Sequence, residues 1–319
     1  MNKIYNKIKN KIKHNDFFYI SLKIISIYFY YLLHNITKHK YIKAKFYKKL
    51  GYPLNLKKPR SFHEKIFWKK IYDRNPLLPL TADKYLVRTY VKEILNEKKA
   101  QDILIPLLYV TDKPDTIPFE KICPPFIIKP NHASGLYLIV KNNSINKKEI
   151  IRTCQRWLKI PYGLDKHEWA YKPIKRKIVI ERLLQEDDGK IPKDYKFYMF
   201  HGKCKLIRVF FDRMKNPSVS FFDEEWDFVL LNTDSYPPGS KIEKPENFEQ
   251  MNKIAQELSQ FFDFIRVDLY NINGKIYFSE LTHYPGGGLS RYQPDHMDYE
   301  LGKYWNIKKE YWMHNPNKL

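Results

Sequence analysis

The chain has 319 residues, enough to bury a substantial hydrophobic core, and we expect one multi-lobed domain rather than two independent ones. Its formal net charge of +22 is carried mostly by lysine and favours anionic partners: phosphates, sugar acids, an acidic membrane surface or nucleic acid. Nucleic acid is the least supported of these and is not expected, because the sequence has no helix-turn-helix, zinc-finger or RNP-like pattern.

Residues 1–50 are predicted to form a basic and aromatic helical extension. Lysines flank an apolar, aromatic run at residues 17–33 that lacks the cleavage site of a secretory signal. The run contains Ser21, Lys23 and Ser26 and is short for a bilayer span. Its basic flanks and tyrosines suit a helix lying at the surface of an acidic membrane. A helix packed on the protein's own surface and a true membrane span are the alternatives.

The remaining residues, 51–319, begin with two predicted helices and a strand. KKPRSFHEKIFWKKIYDRNP indicates a helix with a proline-marked entry. In TADKYLVRTYVKEIL, Thr81 or Asp83 can cap a second helix, which places Lys84 in its first turn. The run ILIPLLYV is typical of a strand.

A strand, a turn and a second strand are predicted from PFIIKPNHASGLYLIVK, with Lys129 at the end of the first strand. The turn from Asn131 to Gly135 is small and polar, so its backbone N–H groups can face an anion. A helix (NKKEIIRTCQRWL) and a strand carrying Glu181 (KIVIERLL) follow.

The C-terminal half is predicted to contain two hairpins separated by a helix. DYKFYMFHGKCKLIRVFFDR indicates two strands that turn at His201-Gly202, and KPENFEQMNKIAQELSQFF is amphipathic. RVDLYNINGKIYFSELTHYPGGG contains Asn-Gly between β-branched and aromatic runs, a strong hairpin signal. Helices and antiparallel hairpins are mixed, so we predict an α+β fold.

The length of the second hairpin's loop decides whether Asp268 and Glu280 share a face. A two-residue loop would place Asp268 opposite Ser279. A three-residue loop, starting at Ile272, would place Glu280 opposite Arg266 and on the same face as Asp268. We expect the three-residue loop, because it gives the first strand one charged and one apolar face. The two acids could then hold a divalent cation together, with Arg266 beside them for an anion.

Seven short segments, taken in order, resemble the ATP-grasp superfamily, and within it the TupA-like ATP-grasp proteins of cell-surface polysaccharide gene clusters. They are KKPRSFHEK, ADKYLVR, IIKPNHASG, IERLL, DYKFYMFHGK, RVDLY and FSELTHYPGGG, within residues 51–305. No GxxxxGK[ST] or GxGxxG motif is present, so neither a P-loop nor a dinucleotide fold explains them. The resemblance implies that two α+β lobes clamp ATP: a phosphate-loop lobe at about residues 83–185 and a metal-binding lobe at about residues 186–305.

The resemblance also implies which residues bind the nucleotide. Lys84 and Lys129 match phosphate-binding lysines. The loop over the phosphates would contain Asn131, His132, Ser134 and Gly135. Glu181 would accept a hydrogen bond from ribose, and the adenine pocket would be lined by Leu183, Leu184 and Phe278, the last of which could equally be a core residue. Lys196 and Arg208 would face the nucleotide cleft, with simple surface exposure as the alternative.

The same resemblance assigns Asp268 and Glu280 as magnesium ligands. Many ATP-grasp enzymes have Glu-x-Asn at this point where this chain has Glu280-Leu281-Thr282, so Thr282 takes the place of a third ligand. The catalytic residues would be Arg266 and Lys129 at the transferring phosphate, and Gly287 and Gly288 as backbone donors to a tetrahedral intermediate. A second departure is Ala133 where a glycine is expected, which would stiffen the phosphate loop if a positive φ is needed there.

The function that follows is ATP- and Mg²⁺-dependent ligation. A carboxylate attacks the γ-phosphate to give an acyl phosphate, and an amine displaces phosphate, leaving an amide and ADP. The resemblance implies that the acid is a uronic acid or acidic amino acid of a surface glycan or its precursor. Three scattered cysteines indicate a reduced, cytoplasmic protein, which could work on lipid-linked intermediates at the inner face of the membrane.

Two other functions stay open at this point. The first is a glycosyltransferase of capsule or surface polysaccharide synthesis, which would need a metal-binding Asp-x-Asp after a hydrophobic strand. The acidic stretch Asp187-Asp188-Gly189 does not fit that pattern and is better interpreted as a turn. The second is a non-catalytic nucleotide-binding scaffold, against which the presence of all the charged site residues argues.

Overall fold

The computed structural model describes residues 16–213 and 215–313. These residues divide into two compact units: the first joins the residues up to Ile42 to Leu107–Leu183, and the second joins Lys43–Pro106 to the residues from Leu184 onward. Residues 1–15 of the predicted basic extension lie outside the described residues. Helices and antiparallel sheets together confirm the α+β prediction.

The bounds of the elements, in chain order, are as follows. The helices of the described residues are α1 Asp16–Ile36, α2 Lys40–Leu50, α3 Phe62–Tyr72, α4 Leu77–Ala82, α5 Val87–Leu95, α6 Glu97–Ile103, α7 Lys147–Lys159, α8 Phe248–Ser259 and α9 His296–Tyr304. The strands are β1 Leu107–Thr111, β2 Phe126–Pro130, β3 Leu138–Val140, β4 Ile178–Arg182, β5 Asp194–Phe200, β6 Lys203–Phe211, β7 Ser218–Phe222, β8 Phe228–Val229, β9 Asn232–Thr233, β10 Phe264–Ile272, β11 Lys275–Thr282 and β12 Tyr292–Gln293.

The first unit is built on a four-stranded antiparallel sheet in the order β1-β4-β2-β3. Helix α7 supplies Ile150 and Cys154, four residues apart and therefore on one helical face, to the core that Phe126, Ile128 and Ile180 form on the sheet. Burial raises the pKa of the Cys154 thiol to about 12, so this cysteine is an inert core residue.

Helix α1 belongs to the first unit and is longer than the apolar run at residues 17–33 suggested. It continues to Ile36 and has 21 residues. One side, with Ile20, Ile27 and His34, is buried as the helix packs against residues 164–166 and α7. By length and composition, its segment Phe17–Ile36 could cross a membrane. Only 17% of the most apolar part of this segment is buried in the protein.

The second unit is built on a six-stranded antiparallel sheet in the order β11-β10-β5-β6-β7-β8. The expected apolar face of β10 is present, since Ile265, Val267 and Leu269 are fully buried. Helix α8 packs on β5, β6 and β10 and contributes Phe248 and Met251 to the core. Polar and charged side chains are therefore left for the opposite face.

The hairpin of β10 and β11 corrects the predicted loop. Ile272 pairs with Lys275, so the loop has two residues, with Asn273 at φ 49° and Gly274 at φ 80°. These left-handed values are typical of the Asn-Gly turn that matches strand twist. The three-residue loop, and with it the expected pairing of Glu280 with Arg266, is wrong.

A β-bulge nevertheless brings the two acids together. Leu269 pairs with Phe278, but the register then shifts by one residue and Asp268 pairs with Glu280. The extra residue is Ser279, because two residues of β11 oppose one of β10 at a bulge. Asp268 and Glu280 thus share a face, as expected, for a different structural reason.

Helix α3 supports the glycine turn that follows β11. Its start is fixed by a capping box, in which Ser61 Oγ accepts from the Glu64 N–H and the Glu64 side chain accepts from the Ser61 N–H. Further along the helix, Lys70 Nζ donates to the Gly287 carbonyl. A Cβ on Gly302 of α9 would lie 2.1 Å from the Arg60 carbonyl oxygen, so α9 packs against the start of α3 as closely as a glycine allows.

Replacing Gly302 with alanine is expected to lower the free energy of unfolding by about 1–3 kcal/mol, the usual cost of overpacking a core. Helix propensity alone would favour alanine by about 1 kcal/mol, so the expected sign distinguishes packing from propensity. Urea unfolding of Gly302→Ala measures the effect, with the exposed neighbour Lys303→Ala as control. A Gly302→Ala protein that is more stable than wild type would contradict the close packing of α9.

Candidate functional site

Four charged residues form a row across the sheet of the second unit. Glu280 on β11 pairs with Asp268 on β10, Asp268 with Lys196 on β5, and Lys196 with Arg208 on β6. Directly paired residues of antiparallel strands have their side chains on the same face, so all four lie on the face opposite α8. The row runs from two carboxylates to two cations.

Asp268 is the centre of this row and is completely buried. Arg266 binds it in a bidentate manner, with Nε 2.6 Å from Oδ1 and Nη2 2.7 Å from Oδ2. Lys196 Nζ lies 2.5 Å from the same Oδ2 and 2.7 Å from Asp194 Oδ2. The paired carboxylate raises the pKa of Arg266 against the opposing effect of burial, so Arg266 stays charged.

Glu280 is the more accessible acid, with 27% of its side chain exposed. Lys84 Nζ lies 3.6 Å from Oε2, and Arg266 Nη2 lies 3.8 Å from Oε1. Burial alone would raise the pKa of Glu280, but Lys84, Lys196 and Arg266 outweigh burial and hold it well below the ordinary value. Glu280 is therefore ionised at neutral pH and can bind a cation.

The oxygen donors on this face fit magnesium. Thr282 Oγ1 donates to Glu280 Oε1 over 3.3 Å and accepts from Arg266 Nη2 over 3.0 Å, so its hydroxyl oxygen lies beside the carboxylate. Mg²⁺ is commonly held by one or two carboxylates together with phosphate oxygens and water. Both oxygens of Asp268 are already bonded to cations, so Glu280 would be the more readily available ligand for a metal.

The face carries more positive than negative charge. Five cations (Lys84, Lys196, Arg208, Arg213 and Arg266) accompany three carboxylates (Asp194, Asp268 and Glu280), which leaves an excess of two. Such an excess is suited to anions, phosphates among them.

Lys84 does not lie in a helix, contrary to the prediction. It lies in the turn at residues 83–86 between α4 and α5 rather than in the first turn of a helix. Asp83 stabilises this turn, because its Oδ1 accepts from the Tyr85 N–H at 2.8 Å and the Leu86 N–H at 3.2 Å. The turn still brings Lys84 to Glu280.

Two of the expected site residues have positions that do not suit their predicted roles. Phe278 pairs with Leu269 on the apolar face and is buried, which favours the core alternative over the adenine pocket. The Gly287 N–H donates to the Tyr284 carbonyl at 2.9 Å, within the turn, and is not available to an intermediate. Gly288 is buried at φ 72°, and a Cβ there would lie 2.8 Å from Ile66.

The first unit brings together the other predicted lysine and glutamate. Lys129 Nζ, at the end of β2, lies 2.5 Å from Glu181 Oε2 on β4. Both side chains are mostly buried. The ion pair keeps the Lys129 ammonium in place at the start of the predicted phosphate loop. Leu183, also in this unit, is buried, whereas Leu184 is half-buried and begins the second part of the other unit.

The loop after β2 is held by Asn131. Its side-chain Nδ2 donates to the Lys175 carbonyl at 2.9 Å, and its Oδ1 accepts from the Lys177 N–H at 2.7 Å. Asn131 thus positions the loop. His132 is buried, while Ser134 and Gly135 are exposed, and the left-handed residue is Gly135 at φ 76°. Ala133 has no positive φ here, so alanine at this position causes no strain.

A cavity of about 500 Å³ lies beside this loop within the first unit. Its walls come from α1, the loop, α7 and the segment after α7, and they combine aromatic rings with cations. The aromatic and charged lining residues are Tyr19, Lys23, His132, Arg156, Trp157, Tyr162, Asp165 and Lys166.

Sequence reasoning missed Asp194 and Arg213. Asp194 precedes Lys196 by two residues on β5, so the alternation of strand side chains already placed both on one face. Arg213 Nη1 lies 2.7 Å from Asp194 Oδ2, but it follows the end of β6 and no local pattern indicated its direction.

Comparison with known proteins gives a family and a set of similar structures. The family model described as TupA-like ATPgrasp matches residues 64–306. No curated protein matches the sequence.

Among solved structures, the chain is similar to the D-alanine–D-alanine ligases of Bacillus anthracis and Helicobacter pylori. The first has 17% identity over 68% of this chain and 66% of that chain, with a TM-score of 0.42. The second has 20% identity over 72% of this chain and 60% of that chain, with a TM-score of 0.41. A third similar structure is the ATP-grasp ligase PsnB complexed with a precursor variant, Mg and ADP, at 11% identity, 72% and 61% coverage and a TM-score of 0.41. The chain spans about three fifths to two thirds of the length of these proteins.

Proposed function

The chain belongs to the TupA-like ATP-grasp family, and from that premise we propose that it is an ATP-dependent carboxylate–amine ligase. The observation that carries this proposal is the face of the second unit on which Asp268 and Glu280 lie directly opposite each other among five cations. Two carboxylates with hard oxygen donors suit Mg²⁺, and Lys84 and Arg266 beside them suit the phosphates of ATP.

We assign each residue a role that its position supports. Glu280 and Asp268 would hold Mg²⁺, which would offset the charge of the β- and γ-phosphates. Arg266, kept charged by Asp268, would bind the transferring phosphoryl group, because charge spreads over its oxygens in the transition state. Lys129 of the first unit, held by Glu181, would bind phosphate at the start of the loop that Asn131 positions.

The reaction proposed for these groups has two steps. A substrate carboxylate oxygen attacks the γ-phosphorus and the bond to ADP breaks, which gives an acyl phosphate and ADP. An amine then attacks the acyl carbon, loses a proton and expels phosphate. The products are an amide, ADP and inorganic phosphate.

We propose that the acid belongs to a cell-surface glycan or its precursor, with a uronic acid or acidic amino acid as the reacting group. Support comes from the cavity of the first unit, where Tyr19, Trp157 and Tyr162 offer rings for sugar faces and Lys23, Arg156 and Lys166 offer charge. Aromatic rings together with cations suit acidic sugars.

The experiment that tests the ligase is ADP release from ATP and Mg²⁺ in a panel of uronic acids combined with amines. We expect release that needs both an acid and an amine, together with an amide product found by mass spectrometry. Glu280→Gln should abolish both signals. Release that depends on a sugar nucleotide and not on ATP would favour the rival function, a glycosyltransferase.

The acidic stretch after β4 gives that rival no support. Asp187 accepts from Asn273 Nδ2 at 2.8 Å, and Asp188 Oδ1 accepts from the Lys190 N–H at 3.0 Å. The Glu186 N–H donates to the Lys190 carbonyl at 2.8 Å, and this hydrogen bond closes the turn. These acids therefore stabilise an exposed turn, as predicted.

We also propose that the protein is cytoplasmic and lies against an anionic membrane through α1. A stripe of apolar residues at intervals of three and four, 42–78% exposed, runs along the side of α1 that the protein leaves uncovered: Phe18, Leu22, Ile25, Phe29, Leu32 and Ile36. The opposite side packs on the first unit along the length of the helix. That packing favours a helix lying on the membrane over one that crosses it, and the net charge of +22 suits anionic lipid.

Replacing Ile25 and Phe29 with aspartate is expected to weaken binding to vesicles containing phosphatidylglycerol by at least about tenfold. Each of these apolar side chains, once buried in lipid, would contribute more than about 1 kcal/mol to binding. Co-sedimentation measures the bound fraction. Leu230→Asp, which changes an exposed apolar residue of the second unit, is the control and should bind as wild type does. Equal binding by the double variant would rule out the stripe as the contact.

A further inference from the structure

Arg208 is a buried cation, two of whose guanidinium nitrogens have no hydrogen-bond partner among the described residues. The residue is 6% exposed, and its Nε and Nη2 atoms are inaccessible and without a hydrogen-bond partner. An unpaired guanidinium in a protein interior is costly, and buried charges are normally paired. An anion paired with these nitrogens would offset that cost.

The surroundings of Arg208 are aromatic rather than acidic. Its guanidinium carbon lies 4.5 Å from the ring centre of Phe210, 5.5 Å from that of Phe221 and 5.3 Å from that of Tyr236. Aromatic faces attract the charge, but they do not accept the in-plane N–H groups. Tyr236 is 37% exposed, so this ring beside Arg208 reaches the protein surface.

The nearby carboxylates are committed to other cations. Asp268 is bound by Arg266 and Lys196, and Asp194 by Lys196 and Arg213. Cations outnumber carboxylates on this face by two, and Arg208 contributes to that excess.

The two unsatisfied nitrogens define the shape of the missing partner. Nε and Nη2 form one edge of a guanidinium, and two parallel N–H groups on that edge match the two oxygens of a carboxylate. The same sheet contains an example, since Arg266 binds Asp268 with these same two atoms at 2.6 and 2.7 Å.

We propose that Arg208 binds a carboxylate of the acid substrate through Nε and Nη2, as Arg266 binds Asp268. This inference rests on the proposed function, because a carboxylate–amine ligase must bind an acid substrate. It assigns Arg208 to the substrate rather than to the nucleotide. Phe210, Phe221 and Tyr236 form the walls of the subsite and exclude water from the ion pair.

The test uses glucuronate as the carboxylate probe, glucose as its uncharged counterpart, and MgATP. Calorimetry is performed on wild type, Arg208→Met, Arg208→Lys and the exposed control Arg291→Met. We expect wild type and Arg291→Met to bind glucuronate and not glucose. Arg208→Met should lose at least about tenfold in glucuronate affinity, the cost of one charge-assisted pair. Its MgATP affinity should stay within twofold of wild type.

A second measurement, by NMR, observes Arg208 directly in the wild-type protein. Its result therefore does not depend on whether Arg208→Met folds correctly. The Nε–H resonance of Arg208, assigned by its absence from Arg208→Lys, should shift when glucuronate is added to wild type and stay in place with glucose. Glucuronate binding unchanged in Arg208→Met, or an Nε–H resonance that does not respond, would overturn the proposal. So would a loss of MgATP affinity in Arg208→Met as large as that of Glu280→Gln.

These arms separate the two proposals. Wild-type protein that binds MgATP but no glucuronate overturns the Arg208 subsite and leaves the ligase standing. Wild-type protein that binds glucuronate through Arg208 but no MgATP supports the subsite and overturns the ligase.

Discussion

A Glu280→Gln protein is expected to keep its fold and to bind MgATP at least about 100-fold more weakly than wild type, since even outer partners of a metal site cost about 10–100-fold when removed. Glutamine keeps the size of the side chain and a hydrogen-bonding oxygen for Thr282, but it loses the charge that Lys84 and Arg266 surround. Calorimetric titration with MgATP, repeated in EDTA, measures the loss.

The control for this titration is Glu249→Gln, which removes an exposed glutamate that pairs with Lys244 on the surface. It should bind MgATP as wild type does. Equal affinity of Glu280→Gln and wild type, with the same sensitivity to EDTA, would contradict the metal role of Glu280.

Asp268→Asn is expected to be the most destabilising change on the charged face. Removing one partner of a buried ion pair typically costs about 3–5 kcal/mol, because the other charge is left unpaired. Here Arg266 would lose its bidentate partner and Lys196 would keep only Asp194, and both cations are buried. Urea unfolding should show a midpoint well below that of wild type.

The double variant Asp268→Asn/Lys196→Met tests the reason for this loss. It removes one of the two cations that Asp268 neutralises, while Asp194 keeps Arg213 as its partner, so it should be more stable than Asp268→Asn alone. Asp268→Asn with the wild-type unfolding midpoint, or a double variant less stable than the single one, would contradict the view that Asp268 neutralises these cations.

Local patterns in the sequence were sufficient to predict most of the elements. The Asn-Gly signal located the turn of the β10–β11 hairpin, and alternation along β10 separated Asp268 from Val267 and Leu269. Both signals are local, because a turn type and a period of two depend on a few neighbouring residues. The α+β class follows from the same signals, and the order of the motifs indicated the family.

The placement of Asp268 and Glu280 on one face was predicted for the wrong reason. The loop was lengthened by one residue to bring the acids together, whereas the structure keeps the two-residue turn and inserts Ser279 as a bulge. A bulge depends on the packing of both faces of the sheet and has no dependable local signal. The position of Phe278 in the core follows from the same shift of register.

Long-range partners were beyond the sequence. Nothing local indicated that Lys196 would bind Asp268, or that two nitrogens of Arg208, two strands away, would have no acceptor. Such facts depend on strand order, which brings residues 196, 208, 266, 268 and 280 side by side.

The most direct test of the ligase follows oxygen from the acid to the phosphate. Glucuronate labelled with ¹⁸O in its carboxylate, ATP, Mg²⁺ and a mixture of amines are incubated with the protein, and phosphate and amide are analysed by mass spectrometry. An acyl phosphate intermediate predicts one ¹⁸O in each inorganic phosphate formed, one ADP for each amide, and no product with Glu280→Gln. Amide formed with unlabelled phosphate, or with AMP in place of ADP, would contradict it.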